Sequence, residues 1–369
     1  MGSAHLTAIE QEICVSFEIW ILEDNLRAKS EVKKSRMHSK LTLRPATPTD
    51  VSVLFDLIMA LADYEKLAHA VTGTKEALKE HLFGSKPYVE AILAEYAGQA
   101  VGFALFFYNY STFLAKPGIY LEDLFVIPEF RGKGIGKAIL SYLAQVGISR
   151  DCGRLEWSVL DWNESAIAFY KRMGASILED YRICRLTGES LTQLATQEFS
   201  LKLRPCTPED MSMLFRLLQG IAEFDKQLHA LTGNLDTLKE HLFGKHTYVE
   251  AILAESDGQV VGFATFFHNY STFLTKPGLY VHDLFVLPDY RRQGLGKAIL
   301  THLAQLAVQR ECGRLEWLVA AWNENAIAFY KQMGASVLPD WRICRVSGDS
   351  LPQLAAQSSS INISQGVKK

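Results

Sequence analysis

Two features of this chain combine residue types and spacing that could do chemistry. The run IYLEDLFV at 119–126 places Glu122 and Asp123 side by side in an otherwise apolar, strand-like stretch. The run LYVHDLFV at 279–286 repeats it with His282 in place of the first acid. Side chains alternate along a strand, so the adjacent pair must point to opposite faces or straddle an irregularity. Two carboxylates inside an apolar strand are costly unless something uses them, and a proton acceptor is the obvious use. Histidine, with its ordinary pKa near neutrality, could take the same role in the second run. The first strand then leads through Pro128 into Arg131-Gly132-Lys133-Gly134-Ile135-Gly136 and directly into a helix, and Arg291-Arg292-Gln293-Gly294-Leu295-Gly296 returns the pattern. Glycines let the backbone approach a ligand closely, and the free N–H groups of a first helical turn favour an anion such as a pyrophosphate. The spacing fits neither a P-loop nor a dinucleotide-binding fingerprint.

The elements that must position these residues occur twice. LTLRPATPTD at 41–50 returns as LKLRPCTPED at 201–210, and the offset of 160 holds without a gap to the RICR runs at 182–185 and 342–345. Over 162–176 only two of fifteen positions differ between the copies. A period this long is a duplicated domain rather than a solenoid unit. The expected organisation is an extension over 1–37, domains over 38–197 and 198–357, and a tail over 358–369. Each copy reads as a strand, a Thr-Pro-x-Asp helix start, two helices, and a hairpin around Ala97-Gly98. The acid-bearing strand, the glycine turn with its helix, a strand GRLEWSVL, a helix NESAIAFYKRMG and terminal strands follow. A mixed α/β sheet with helices on both faces is the expected architecture.

Composition narrows the function classes. A length of 369 residues with 48% apolar residues suits two cores rather than one. A formal net charge of −3 from 38 basic and 41 acidic residues leaves no basic face for nucleic acid and no polybasic membrane patch. No apolar run reaches the length of a membrane span. Six cysteines without CxxC or Cys/His ligand spacing read as buried free thiols in a reducing, cytoplasmic setting with no metal site.

Arg-x-x-Gly-x-Gly after a strand resembles the acetyl-CoA pyrophosphate motif of the GNAT acyltransferase superfamily, and the element order of each copy is similar to that fold. ADYEKL at 62–67, YLEDLFVIPEFRGKGIG at 120–136, WNESAIAFYKRMGA at 162–175 and the aromatic-Arg pair at 181–182 resemble the diamine acetyltransferase branch. That branch includes spermidine/spermine N1-acetyltransferases and thialysine Nε-acetyltransferases. The resemblance implies two tandem GNAT acyl-CoA N-acyltransferase domains, each a mixed, mainly antiparallel sheet flanked by helices. It further implies transfer of an acetyl group from acetyl-CoA to a primary amine of a small cationic substrate, a diamine, polyamine or lysine-like amine. A non-catalytic acetyl-CoA sensor or interaction module, and a peptide or protein lysine acetyltransferase, remain the rival readings.

Carried over position by position, the resemblance makes Glu122 the general base and Tyr170 the acid toward the thiolate, with His282 and Tyr330 as counterparts. The backbone of Leu124, Phe125 and Val126 would pair with the pantetheine arm, and Arg131, Gly132, Lys133, Gly134, Ile135, Gly136, Lys137 and Asn163 would hold the rest of the cofactor. Leu284, Phe285, Val286, Arg291, Arg292, Gly294, Gly296 and Asn323 repeat that set. Glu65, Asp123, Glu156, Glu179 and Tyr181 would face the substrate of the first copy, and Asp225, Asp283 and Trp341 that of the second. Ser111 and Ser271 stand where the spermidine/spermine branch carries an acid, which favours a shorter amine. Members of this branch are generally homodimers, so the copies could dock as a pseudo-dimer within one chain or each pair with another chain.

Overall fold

The computed structural model describes residues 41–357 and 362–363. The expected extension over 1–37 and most of the tail lie outside the described residues. The first copy folds as β1 (Leu41–Pro45), α1 (Val51–Tyr64), α2 (Lys75–Phe83), β2 (Glu90–Tyr96), β3 (Gln99–Ser111), β4 (Lys116–Val126), α3 (Ile135–Ser149), β5 (Arg154–Leu160), α4 (Glu164–Arg172), β6 (Ser176–Leu178), β7 (Tyr181–Thr187) and α5 (Gly188–Ala195). The second repeats the order as β8 (Lys202–Pro205), α6 (Met211–Phe224), α7 (Leu235–Phe243), β9 (Glu250–Ser256), β10 (Gln259–Ser271), β11 (Lys276–Val286), α8 (Leu295–Gln309), β12 (Arg314–Ala320), α9 (Glu324–Gln332), β13 (Ser336–Leu338), β14 (Trp341–Ser347) and α10 (Ser350–Ala356). A short strand β15 (Asn362–Ile363) follows.

Local chemistry explains the boundaries. Before α1, the Thr47 backbone N–H and hydroxyl both donate to Asp50 Oδ2 at 2.7 Å, closing a capping box. Arg44 forks onto the same carboxylate at 2.7 and 2.8 Å, tying β1 to the helix start. Leu54, Leu57, Ile58 and Leu61 form the buried stripe of α1. The helices α5 and α10 were not expected. Each carries only a short apolar face, Leu191 with Leu194 or Leu351 with Leu354, immediately after a strand.

The sheets do not respect the repeat. One sheet runs β15-β1-β2-β3-β4-β5-β14-β6, and the other runs β13-β7-β12-β11-β10-β9-β8. In the first, β4 and β5 are parallel while β1 to β4 and β5 to β14 are antiparallel. The last long strand of each copy has crossed over: β14 pairs with β5, and β7 pairs with β12. The following helix goes with it, so Leu351, Leu354 and Ala355 sit in the core around Ile139 and Trp157, and Leu186, Leu191 and Leu194 in the core around Ile299 and Trp317. Domains bounded at 197 and 198 therefore describe the duplication, while each folded unit takes its final strand and helix from the other copy.

The exchange is reinforced elsewhere. Thr72 and Gly73 N–H groups donate to the Phe273 carbonyl, and Thr232 and Gly233 donate to that of Phe113. Tyr270 packs into the core of α1 and α2, and Tyr110 into that of α6 and α7. Reciprocal contacts of this kind are those of an isologous interface, here within one chain. Each exchanged segment buries three apolar side chains or more in the other copy, at about 1.5–3 kcal/mol for each large one. A protease site placed in the linker 197–200 and cut in the folded protein should therefore leave the halves co-eluting in size-exclusion chromatography. Separation of the halves would contradict the exchange.

Candidate active site

The site begins where two parallel strands part. β4 pairs with β5 only from Ile119↔Leu155 to Leu121↔Trp157, although both strands continue. Glu122 is the next residue, and there the pairing of β3 with β4 slips: Leu105 faces Asp123 and Phe106 faces Leu121. Glu122 is thus the extra residue of a β-bulge, which decides between the two geometries open for the acid pair. His282 occupies the same bulge in β11. Beyond it, the edge of Leu124, Phe125 and Val126 that faces β5 lies outside the register, as a strand-like ligand would require.

The parted strand runs into the glycine turn. Gly132 and Gly134 adopt left-handed backbone with φ of 73° and 80°, and Gly134 precedes α3, whose first-turn N–H groups have no partner within the helix. Ile135 is buried, so only its backbone faces the opening. Arg131 is already engaged: its Nε donates to the Val126 carbonyl at 2.9 Å and its guanidinium lies over the Tyr64 and Phe125 rings. It braces the turn rather than standing free, and Arg291 does the same against Val286 and Phe224. Lys133 donates to the Glu129 carbonyl, and Lys137 is exposed on the first turn of α3. Asn163 and Asn323 cap α4 and α9 by accepting the N–H groups of Ala166 and Ala326. Arg292 holds the position of Gly132 with φ of 62°, a conformation a non-glycine residue adopts only against strain.

Three acids converge on the first copy's bulge. Burial and then the Glu122 charge push the Glu65 carboxyl up to about 7. Burial, followed by Glu122, raises Asp123 well above the ordinary aspartate range, against a hydrogen bond from the Thr272 hydroxyl. Burial also raises Glu122, opposed chiefly by Arg314, whose Nη2 donates to both carboxylate oxygens at 3.1 and 3.2 Å. Asp123 Oδ2 has no hydrogen-bond partner among the described residues. Tyr170 lies buried in α4 against Trp157, and desolvation raises its phenol, so the proton stays on at neutral pH. Glu65 is near enough for its charge to act on Tyr170.

The second copy keeps the frame and changes the charges. Asp283 accepts from the Thr265 hydroxyl at 2.6 Å, a bond the first copy lacks because Leu105 stands at that position. Thr112, the counterpart of Thr272, is left without a partner among the described residues. Desolvation lowers the His282 imidazole below its usual range, and burial with Asp283 raises Asp225. Arg154, the counterpart of Arg314, finds no carboxylate at 282 and pairs with Glu156 at 2.7 Å. A cavity of about 890 Å³ runs from Arg292 and Leu284 past Tyr330 and His282 to Asp225. Its far wall comes from the first copy: Asn109, Ser111, Phe113, Arg154 and Glu156.

The exchange reassigns three expected residues. Tyr181 lines the second copy's cavity, where its hydroxyl accepts from Gln227 Nε2 at 2.9 Å, and Trp341 on β14 joins the first copy's sheet. Glu156 is neither solvated nor a free substrate acid: Arg345 and Arg154 ion pairs and the Asn109 amide surround it, and they lower its pKa despite burial. Glu179 is exposed in the turn between β6 and β7 and is not among the cluster at the bulge. The residues missed in the sequence are Arg314 and Thr265, on strands of the second copy, and Thr272 in the turn after β10. A single-letter difference, Leu105 against Thr265, was the one available signal.

A parted parallel strand pair, a bulge carrying Glu122 or His282 and a glycine-rich helix start recur in both copies on mixed sheets. The profile of the Acetyltransferase (GNAT) family matches residues 59–175 and 215–335, more than half of the chain. The chain belongs to that family and is an amine N-acetyltransferase. It is 34% identical over 214 residues to an L-ornithine N5-acetyltransferase of Arabidopsis thaliana, covering 46% of this chain and 93% of that protein. It is 37% identical over 164 residues to a thialysine N-epsilon-acetyltransferase of Bos taurus, covering 42% of this chain and 96% of the relative. A tyramine N-feruloyltransferase of Nicotiana tabacum is 32% identical over 101 residues, covering 27% and 45%.

Two outcomes follow from this geometry. Replacing Arg292 by glycine should raise thermal stability by about 1 kcal/mol through relief of left-handed strain, while calorimetric titration shows weaker acetyl-CoA binding. Unchanged affinity would count against the expected cofactor contact of Arg292. Glu65 binds its proton more tightly folded than unfolded, so its ionisation erodes stability as pH rises from 4.5 to about 7. Glu65→Gln should abolish that erosion, worth at most about 3 kcal/mol, as read by denaturant melts at pH 5 and pH 8.

Proposed function

We propose that the first copy acetylates a primary amine of a small cationic substrate, a diamine, polyamine or lysine-like amine, with acetyl-CoA as donor. The observation that carries this reading is the convergence of Glu65, Glu122 and Asp123 at the mouth of the parted strands, with one Asp123 oxygen unpartnered. An ammonium group would supply the missing donor and counter-charge. The printed activities of the ornithine and thialysine relatives, both on side-chain amines, support the same class. The five described cysteines are free and buried, which suits a cytoplasmic setting.

Acetyl-CoA, when bound, supplies a thioester acyl group that the amine takes over as the thiol departs. Around it, the N–H groups at the start of α3 would hold the pyrophosphate, and the edge of Leu124 to Val126 would receive the pantetheine arm. Asp123 and Glu65 orient the ammonium, Glu122 accepts its proton, and the Tyr170 hydroxyl donates to the departing sulfur. In the second copy the same frame offers His282, Tyr330, Asp225 and Asp283. Its lowered pKa keeps His282 neutral and able to accept a proton at neutral pH. A second activity with a different amine preference is the reading for that copy.

The test is acetylation of diamines, polyamines, lysine analogues and peptides by wild type, Glu122→Gln, Tyr170→Phe, His282→Ala and Tyr330→Phe. Each first-copy variant should lose about 10²- to 10⁴-fold in kcat/KM on a diamine or lysine-like amine. Full retention in both would overturn the first site. Cofactor binding without thiol release on any amine would favour a sensor, and activity on peptides alone a protein acetyltransferase.

A further inference from the structure

The candidate base of the first copy is held by a side chain of the second. Arg314 opens β12, is 6% exposed, and reaches across the interface to both Glu122 oxygens while also donating to the Tyr270 carbonyl at 2.5 Å. The reciprocal contact does not exist. Arg154, equally buried, faces His282 and pairs instead with Glu156. The two arginines occupy the same place in the fold, each donating to the carbonyl of the tyrosine one residue before the end of its own copy's third strand. Only one of them meets a carboxylate at the bulge. Its loss would not leave Glu122 balanced: Glu65 and Asp123 face it from its own copy, Glu316 from β12, and Tyr120 and Tyr270 from β4 and β10. Arg185 on the exchanged strand would be the remaining cation.

We infer that Arg314 is a positioning residue in trans: its guanidinium aims the Glu122 carboxylate and supplies its counter-charge, so that the first site is complete only with the second copy docked on it. This rests on Glu122 being the proton acceptor. The contact is made by Nη2 alone, which spans both Glu122 oxygens and the Tyr270 carbonyl. A lysine ammonium keeps the charge on a differently shaped stem, so lysine should restore the counter-charge and only part of the aim. Without Arg314, only Arg185 opposes burial and the neighbouring acids at Glu122, the carboxyl keeps its proton to higher pH, and the base is lost where the native enzyme still has it.

The experiment measures kcat/KM against pH on a diamine or lysine-like amine in full-length Tyr330→Phe, with the second site disabled. Glu122→Gln/Tyr330→Phe defines the rate to be subtracted. Adding Arg314→Gln should move the acid limb up by about one pH unit or more and cut the rate at neutral pH by about tenfold or more. The calorimetric affinity for acetyl-CoA should stay unchanged. Arg314→Lys should fall between. Arg154→Gln is the control for losing a buried arginine: it should lower the melting temperature without moving the first site's limb. If Arg314→Gln folds poorly, the Arg314→Gln/Glu122→Gln pair, which removes both charges, should melt higher than Arg314→Gln alone, and the lysine variant still reports the limb. An unmoved limb in Arg314→Gln and Arg314→Lys, or an equal shift in Arg154→Gln, overturns the proposal. Full activity in Glu122→Gln overturns both it and the site assignment beneath it, which separates the two failures.

Discussion

The pairing of Glu156 with Arg345, and of Glu316 with Arg185, seats everything else. Each pair lies directly across an exchanged strand contact, in register, at 2.7 and 2.5 Å. Both glutamates are almost fully buried. A buried carboxylate without its partner is strongly unfavourable, so register slips of the exchanged strands are suppressed. With β14 and β7 in place, α10 and α5 close the cores, and β10 and β12 of one copy come to rest against the site of the other. Burial fractions, the carboxylate cluster and the cavity wall all depend on that seating.

Within this near-symmetric frame, two substitutions separate the sites electrostatically. Glu122 against His282 decides whether the buried arginine at the interface pairs at the bulge or retreats to Glu156. Leu105 against Thr265 decides whether the following aspartate has a hydroxyl of its own copy to accept from, as Asp283 does and Asp123 does not. The first site therefore concentrates carboxyl groups, with Glu122 balanced by Arg314 from across the interface. The second carries a neutral imidazole and an aspartate already satisfied at home. Desolvation acts on the two bulge residues in opposite directions, raising the glutamate and lowering the histidine.

What could be read in the sequence was local. The duplication, the glycine turn and the acid pair announce themselves through spacing, and the resemblance they support gives the layer order correctly. The acid pair posed a choice between opposite faces and an irregularity, and only the β3–β4 register resolves it as a bulge. The exchange was not legible for a physical reason: both copies end in RICR, so β7 and β14 present the same central side chains, including the arginine that meets the buried glutamate, to β5 and β12. No pattern of polarity distinguishes a strand's own sheet from its neighbour's. Tyr181 and Trp341 were accordingly assigned to the wrong copies, and Glu156 was offered to substrate although Arg154 and, from 189 residues away, Arg345 both pair with it. Arg314 gave no signal for the same reason, because its carboxylate lies in the other repeat.

Composite construction also changes what each copy is free to vary. The second copy carries histidine at its own acid position and Thr265 on its third strand, and neither difference touches a group the first site uses. Arg314, Tyr270 and Thr272 are different: they sit at the first site's carboxylates, and their loss would be felt there before it was felt at home. A duplicated enzyme with independent halves can discard one half, but here the second half supplies counter-charge and a strand to the first. The constraint on it is then structural and electrostatic at the shared face and relaxed at its own bulge, which is the pattern of sameness and difference that the two copies display.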